Sequence, residues 1–212
     1  MNRFPIDSAG FPFIAGAAVV AAIGGLWVGW LAALPFAVLT GFFIFFFRDP
    51  NRLVAPGAET AVVSPADGKV LVAGAAIVEA APPGSWKQVS IFLSPMDVHV
   101  NRVPASGTVT RVKYTQGRFL PAYRPDAATS NERCEIWIDH AGQTIVARQI
   151  VGILARRVVC RVREGATVRA GDRYGIMKFG SRMDIFMPAT AEIRVKVGDS
   201  VRGAETVIAV LH

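Results

Sequence analysis

Hydrophobic positions divide the chain into two unlike parts. Residues 8–47 contain no charged side chain, and the stretch from Phe11 onward is almost wholly apolar. A helix crosses a bilayer core with about 20 apolar residues, so this stretch is too long for one crossing and barely long enough for two. Gly24-Gly25 and Pro35 are the candidate breaks. The pattern predicts a helical membrane anchor over residues 1–47, either a tight hairpin or one span followed by a re-entrant segment.

A cleavable secretory signal is the alternative interpretation of this stretch. The apolar core of a signal usually covers about 7–15 residues and ends at a small-residue cleavage site. Here the apolar run continues to Phe47 and stops at Arg48, which favours an uncleaved anchor. Arg3 precedes the run, and Arg48 and Arg52 follow it, which suits a hairpin with both ends on the cytoplasmic side. We therefore expect the protein in the cell (inner) membrane, with its soluble domain facing the cytoplasm.

The rest of the chain, residues 48–212, has the pattern of short β-strands. Gly and Pro interrupt short runs of β type, and no convincing long amphipathic helix is present. Val158, Cys160 and Val162, for example, share one face, and arginines occupy the other. The predicted strands are Lys69 to Ala73, Val89 to Leu93, Thr108 to Tyr114, Glu135 to Asp139, Thr144 to Val151, Arg157 to Arg163, Ala191 to Val197 and Val207 to Leu211. The segment from Gln116 to Arg133 is expected to be a long loop.

A weak internal repeat refines the expected architecture. The segment Glu164 to Gly171 recurs 33 residues later as Val197 to Ala204, each copy being a glycine turn followed by Val-Arg. These turns, with Ser64 to Val70 and Val103 to Val109, resemble the hammerhead turns of lipoyl- and biotinyl-type domains. We expect a compact, mostly antiparallel β-sandwich or barrel that follows the anchor.

The charge and the cysteines limit the class of partner. The chain has 23 Lys and Arg against 16 Asp and Glu, and the net charge of +7 belongs to the β domain. Zinc-finger spacing, RNP motifs and Lys/Arg blocks are all missing from the sequence, so membrane lipids are favoured over nucleic acid as the anionic partner. A solvated basic surface without a specific ligand remains an alternative. Cys134 and Cys160 lack CxxC spacing, which argues against zinc and a disulfide scaffold and fits a reducing compartment.

Three residues outside any strong pattern could carry chemistry. Asp67 lies in an Ala-Asp-Gly turn, His99 follows an apolar strand, and Ser181 follows Gly180. An Asp, a His and a Ser can form an orienting group, a base and a nucleophile. Each also has an ordinary interpretation, because Asp-Gly and Gly-Ser pairs are common in turns and a single His is usually a surface residue or a satisfied hydrogen-bonding group.

Five motifs in order give these residues a context. They are Phe46-Phe47-Arg48-Asp49-Pro50-Asn51-Arg52, Ser64-Pro65-Ala66-Asp67-Gly68, Phe92-Leu93-Ser94-Pro95-Met96-Asp97-Val98-His99, Asn131-Glu132-Arg133 and Phe179-Gly180-Ser181-Arg182-Met183-Asp184. Together they resemble the short form of phosphatidylserine decarboxylase, over essentially the whole β domain.

The resemblance implies a proenzyme that makes its own cofactor. The Ser181 hydroxyl would attack the Gly180 carbonyl, and elimination of the resulting ester would leave dehydroalanine at residue 181. Tautomerisation and hydrolysis, with loss of ammonia, would convert it to an N-terminal pyruvoyl group. The products would be a β chain of residues 1–180 and an α chain of residues 181–212, held together as a heterodimer, with a higher oligomer left open. Through a Schiff base with phosphatidylserine, the pyruvoyl group would support decarboxylation to phosphatidylethanolamine. No metal is needed.

The resemblance also implies roles for individual residues. Ser181 would be the nucleophile, Gly180 the attacked acyl group, Asp67 the orienting carboxylate and His99 the acid/base group. Larger bacterial relatives carry a second histidine three residues further on, where this chain has Arg102. Whether His99 serves both cleavage and decarboxylation, or another group performs one task, is open at this stage. Arg102 and Arg118 are candidates to bind the lipid phosphate, with solvated strand and loop positions as the alternative.

A carrier domain is the second class of function. The sequence Ile176-Met177-Lys178-Phe179 resembles the Met-Lys region at the hairpin tip of biotin and lipoyl carriers. On this hypothesis Lys178 would be the attachment site, and the protein a carrier or a membrane-anchored adaptor. A carrier does not need Gly180-Ser181, Asp67 or His99, and it would remain one chain.

Overall fold

The computed structural model describes residues 6–57, 60–153, 158–178 and 181–212. The chain forms two compact units, residues 1–51 and residues 52–212. Phe179 and Gly180 lie outside the described residues, as does Arg157 at the start of one predicted strand.

The first unit is a pair of apolar helices that pack against each other. A 3-10 turn at Ser8–Gly10 leads into α1 (Phe11–Trp27), and α2 covers Trp30–Phe46. The Phe13 ring lies 5.6 Å from Phe43 and 5.4 Å from Phe47 between ring centroids, which brings the far ends of the two helices together. With its preceding turn, α1 is a 20-residue helix that is long and apolar enough to cross a membrane, whereas α2 has 17 residues. These helices are compatible with membrane association.

The break between the helices differs from the predicted one. Both helices continue through the candidate positions Gly24-Gly25 and Pro35, and the chain reverses at Val28-Gly29. Gly29 has φ +121°, which a residue with a side chain rarely adopts. A Cβ on Gly24 would lie 3.4 Å from the Ala32 carbonyl oxygen, so this glycine allows the two helices to approach closely beside the turn.

The second unit is built mostly from β-strands. They are β1 (Ala61–Val63), β2 (Gly68–Ala75), β3 (Trp86–Leu93), β4 (Val100–Arg102), β5 (Gly107–Thr115), β6 (Arg133–His140), β7 (Gln143–Val151), β8 (Val158–Cys160), β9 (Thr167–Val168), β10 (Arg173–Met177), β11 (Ser181–Pro188), β12 (Glu192–Ile193), β13 (Ser200–Val201) and β14 (Val207–Val210). A short helix, α3 (Ala127–Ser130), lies inside the predicted long loop. The mostly β, antiparallel prediction is confirmed.

The strands form one large curled sheet and two small ones. The large sheet has eight strands in the order β13-β2-β3-β11-β7-β6-β5-β9, and the small sheets have the orders β1-β14-β12 and β4-β10-β8. The paired strands are antiparallel. The buried core contains residues of the central strand such as Met183, Ile185 and Met187. Because side chains alternate along a strand, Ser181 at the start of β11 belongs to the same, core-facing row.

The order of strands in the large sheet reflects the internal repeat. At one edge β13 pairs with β2, which pairs with β3, and at the other β9 pairs with β5, which pairs with β6. Gly68 and Gly107 occupy matching positions, since a Cβ on either would overlap a backbone carbonyl oxygen of the neighbouring strand. The two halves meet where β11 pairs with β7. Ser181 therefore starts a strand at the centre of the sheet.

Candidate functional site

Ser181 is a buried serine whose hydroxyl has no partner. Its neighbours in the sheet are Leu93 on β3 and Val151 on β7. The side chain is fully buried, and its Oγ makes no hydrogen bond in the part of the chain that the structure describes. Leaving a buried hydroxyl unpaired costs about 1–3 kcal/mol, so most buried hydroxyls are bonded. The Ser181 hydroxyl is therefore a candidate reactive group rather than one that stabilises the fold.

His99 lies at the same end of the large sheet as Ser181. The turn after β3 joins Leu93 to His99, and the amide of Asp97 donates to the Ser94 carbonyl within it. From the other direction, the Met177 amide donates to the His99 carbonyl at 3.3 Å, and Met177 precedes Ser181 by four residues. Two short connections thus tie His99 to the beginning of β11.

The His99 ring is fully buried and has a defined tautomer. Its Nδ1 lies 2.9 Å from the Asp97 carbonyl oxygen. A carbonyl only accepts hydrogen bonds, so Nδ1 carries the proton and donates it. In the neutral ring, Nε2 is then the basic nitrogen. The backbone of Asp97 therefore orients His99 as a base.

Asp67 is placed beside the same end of the sheet, with a partner on each carboxylate oxygen. Oδ2 accepts from Arg52 Nη2 at 2.6 Å, and Oδ1 accepts from the Gly203 amide at 2.8 Å. Its turn lies against β3, because Gly68 has no Cβ to meet the Phe92 carbonyl. The orienting role of Asp67 stays a prediction, since the bond to Nδ1 of His99 comes from Asp97.

A cavity of about 460 Å³ connects Asp67 with the His99 turn. Its lining includes Asp67, Phe92, Ser94 and Asp97. The Asp97 carboxylate accepts from the Ser94 amide and hydroxyl, which closes the turn that carries His99. Polar groups therefore line an open space next to the end of β3, close to the strand that carries Ser181.

A pair of buried amides lies behind the site. Gln149 Nε2 donates to Asn101 Oδ1 at 2.8 Å, and both residues are fully buried. Asn101 Nδ2 and Gln149 Oε1 have no partner among the described residues. Asn101 is two residues from His99, and Gln149 is two residues from Val151. Sequence reasoning missed this pair, because it joins strands of two different sheets.

The motif Asn131-Glu132-Arg133 also reaches this end of the sheet. The Asn131 side chain donates to the carbonyls of Leu120 and Val151 at 2.8 Å each, and it accepts from the Leu120 amide at 2.9 Å. The Asn131 side chain thereby holds the loop at Leu120 beside Val151, the residue that pairs with Ser181. Arg118 is exposed in this loop, and its backbone forms an isolated β-bridge with that of Asn131. Arg102 is buried, and its guanidinium donates to the Gly171 carbonyl at 3.1 Å.

The thiols of Cys134, which is buried, and Cys160, which is half-buried, form a pair, and the phenol of Tyr174 in β10 is fully buried. A hydrogen bond from Cys134 to Cys160 lowers the pKa of Cys160 to about 7, and the same bond, with burial, raises the pKa of Cys134. Both cysteines are free thiols. Burial raises the pKa of Tyr174 well above its usual value, and its hydroxyl contacts the Met183 sulfur at 3.8 Å. Tyr174 is therefore a neutral phenol at physiological pH.

Comparison with known proteins places this geometry in a family. The family model described as phosphatidylserine decarboxylase matches residues 39–209. A phosphatidylserine decarboxylase proenzyme of Geotalea daltonii is 42% identical over 211 residues, covering 99% of this chain and 98% of that protein. The proenzyme of Nitrosomonas europaea is 41% identical over 204 residues, covering 96% and 94%, and that of Salinibacter ruber is 43% identical over 196 residues, covering 87% and 85%. The chain belongs to the phosphatidylserine decarboxylase family.

Proposed function

We propose that the chain cleaves itself between Gly180 and Ser181 and then decarboxylates phosphatidylserine to phosphatidylethanolamine. The observation that carries this proposal is the buried, unpartnered hydroxyl of Ser181 at the end of the sheet where His99 is held. Gly180 itself lies outside the described residues, and its role as the attacked acyl group rests on the sequence motif.

His99 is the base for the first step. Nε2 takes the proton from Ser181 Oγ as the oxygen attacks the Gly180 carbonyl. The C–N bond between Gly180 and Ser181 then breaks, the Ser181 nitrogen takes that proton and becomes an amine, and an ester joins Gly180 to Ser181 Oγ. Proton transfer by a positioned histidine contributes about 10²–10⁴-fold to the rate of such a step. The Asp97 carbonyl keeps the ring in the required tautomer. The Asp67 carboxylate supports the site through Arg52 and the turn before β2.

The two products remain in one fold after cleavage. Residues 181–212 contain β11 to β14, and residues 1–180 contain the other strands. β11 lies between β3 and β7, and β14 pairs with β1. The smaller product therefore supplies the centre of the large sheet, and separating the chains would break backbone hydrogen bonds on both sides of it. This supports a heterodimer of the cleavage products.

The site fits a pyruvoyl group made from Ser181. The group would form in a buried position whose hydroxyl has no structural partner to lose. When present, its ketone supplies an electron sink for the electrons released with CO2. The chain's own residues exclude water and hold the proton-transfer groups around it. His99 bonds to the backbone of Met177, four residues before Ser181, and the neutral Tyr174 contacts Met183, two residues after it.

Access for a lipid headgroup is supported by the exposed side chains at this end. Met96 is 57% exposed in the turn before His99, and Phe119 and Tyr123 are 39% and 62% exposed in the loop fixed by Asn131. Arg118 in the same loop can meet the lipid phosphate, with Arg102 as the second, buried candidate. Apolar and cationic groups together suit an anionic lipid surface. The helical anchor keeps the domain in the cell (inner) membrane, with the β domain on the cytoplasmic side.

The turns of the internal repeat are part of the same proposal. Gly165 and Gly198 have φ +80° and +93°, and their amides donate to Val109 and Val70 at 2.8 and 2.9 Å. This shared geometry supports the hammerhead-type turns predicted from the sequence. A carrier that uses Lys178 is not favoured, because the related proteins are decarboxylase proenzymes.

Decarboxylation of a lipid substrate tests the proposal. Purified full-length protein is mixed with vesicles that contain phosphatidylserine labelled at the serine carboxyl carbon, and labelled CO2 and phosphatidylethanolamine are measured. We expect both products from the wild type and neither from Ser181→Ala. A wild-type protein that splits into its two chains but releases no CO2 would show that the substrate is wrong.

A further inference from the structure

The cleavage reaction needs more than one proton-transfer step. After the ester forms, its elimination requires removal of the Ser181 α-proton, in addition to the earlier removal of the hydroxyl proton. Arg102 follows His99 by three residues, but a guanidinium stays protonated in proteins and cannot act as a base. Arg102 is also buried and bonded to the Gly171 carbonyl. Another group must take the second proton, or His99 must act twice.

Glu132 lies in one cross-strand row with Ser181. Ser181 pairs with Val151, and the Val151 amide donates to the Glu132 carbonyl at 3.1 Å. Neighbouring strands are about 4.8 Å apart, so the Cα atoms of Glu132 and Ser181 are about 10 Å apart. Residues directly opposite each other on antiparallel strands present their side chains to the same face. The Glu132 side chain therefore extends on the face that carries the Ser181 hydroxyl.

The Glu132 carboxylate is buried and incompletely bonded. The residue is 7% exposed, and its Oε1 has no hydrogen-bond partner among the described residues. Glu135, three residues further along in β6, is buried to a similar degree but is fully engaged. Its Oε1 accepts from Arg148 Nε at 2.9 Å, and its Oε2 accepts from Trp137 Nε1 at 3.2 Å. The comparison separates a structural carboxylate from one with an oxygen available for chemistry.

We propose that Glu132 is the second base of self-cleavage, which rests on the proposed function. A Glu132 oxygen takes the α-proton of Ser181, directly or through one water. The electrons of that C–H bond form the Cα–Cβ double bond, the Cβ–Oγ bond breaks, and Gly180 leaves as a carboxylate. His99 and Glu132 thus divide the two proton transfers. Glu132, from the Asn131-Glu132-Arg133 motif, thus takes the proton that the Arg102 guanidinium cannot take.

Trapping the ester tests this division of labour. Glu132→Gln is made in the full-length chain, treated in its native state with hydroxylamine, and analysed by denaturing mass spectrometry. We expect spontaneous cleavage to slow by roughly 10²–10⁴-fold, as for loss of a general base. Hydroxylamine should then split the chain into residues 1–180 ending in a hydroxamate and residues 181–212 beginning with unmodified serine. Glu132→Asp should restore part of the spontaneous rate.

Controls separate chemistry from folding. Glu135→Gln, which removes a buried structural carboxylate, should cleave spontaneously and leave no ester, and Ser181→Ala should be resistant to hydroxylamine. If Glu132→Gln cleaves spontaneously at the wild-type rate, the proposal is wrong. A Glu132→Gln chain that stays intact and is not split by hydroxylamine would also overturn it. The same holds if hydroxylamine splits the Glu135→Gln chain to the same extent as Glu132→Gln. A wild type that cleaves but produces no phosphatidylethanolamine would overturn only the proposed substrate, whereas a wild type that stays whole would overturn both proposals.

Discussion

The unpartnered hydroxyl of Ser181 predicts that this serine lowers the stability of the uncleaved fold. Ser181→Ala removes a fully buried oxygen that makes no hydrogen bond among the described residues. The desolvation penalty of such a group is about 1–3 kcal/mol, so the substitution should raise the free energy of unfolding by up to about 2 kcal/mol. For a domain of this size, that corresponds to an increase in Tm of roughly 4–8 °C. Functional residues often carry such a cost.

The comparison requires chains that cannot cleave. The chain with Ser181 and the Ser181→Ala chain are therefore both made with the additional substitution His99→Ala, and unfolding is followed by circular dichroism in detergent. Ser64→Ala is the matched control, because Ser64 is equally buried but its hydroxyl donates to the Ala66 carbonyl at 2.6 Å. Ser64→Ala should lower the free energy of unfolding by about 1 kcal/mol. If Ser181→Ala lowers stability as Ser64→Ala does, the hydroxyl has a structural partner and the reasoning is wrong.

Two further predictions concern groups around the site. Asp67→Asn and Arg52→Met should each destabilise the Ser181→Ala chain by about 1–3 kcal/mol in denaturant unfolding. The Asp67 and Arg52 side chains are only 15% and 7% exposed, and they share a 2.6 Å ion pair. Additive effects in the double variant would show that the two side chains are not coupled. Cys160, with its pKa of about 7, should be alkylated readily at pH 7. In Cys134→Ala the hydrogen bond that stabilises the Cys160 thiolate is lost, and the pKa of Cys160 should rise toward 9.0. At pH 7 the thiolate fraction of Cys160 should then fall from about one half to about 1%. An unchanged rate of Cys160 alkylation, followed by mass spectrometry, would contradict this.

The sequence predicted several strands from short apolar runs bounded by turn residues. β5, β6 and β7 were all expected within a few residues of their observed ends. The segments 157–163 and 191–197 alternate in polarity, yet the described strands there are only Val158–Cys160 and Glu192–Ile193. Alternation fixes which face is buried, but the length of a strand depends on whether a neighbour pairs with it.

The central strand was missed because charged residues interrupt its apolar run. β11 is buried on both faces, and its outer face contains the Arg182–Asp184 ion pair at 2.6 Å with side chains 3% and 0% exposed. Charged residues in a strand normally indicate solvent, so the pattern did not indicate a strand at the centre of the sheet. The partners at the site were equally hidden. The bond from His99 to the Asp97 carbonyl depends on the conformation of one local turn. The Arg52 bond to Asp67 and the Glu132 oxygen that has no partner among the described residues depend on how separate segments pack. The motifs could identify only the residues.

Denaturing mass spectrometry of the purified full-length protein tests self-cleavage most directly. We predict two chains from the wild type, residues 1–180 and residues 181–212, with a pyruvoyl group in place of Ser181 at the blocked N-terminus of the smaller one. Ser181→Ala should give a single intact chain. An intact wild-type chain after membrane extraction, with no fragment that begins at position 181, would contradict the central claim.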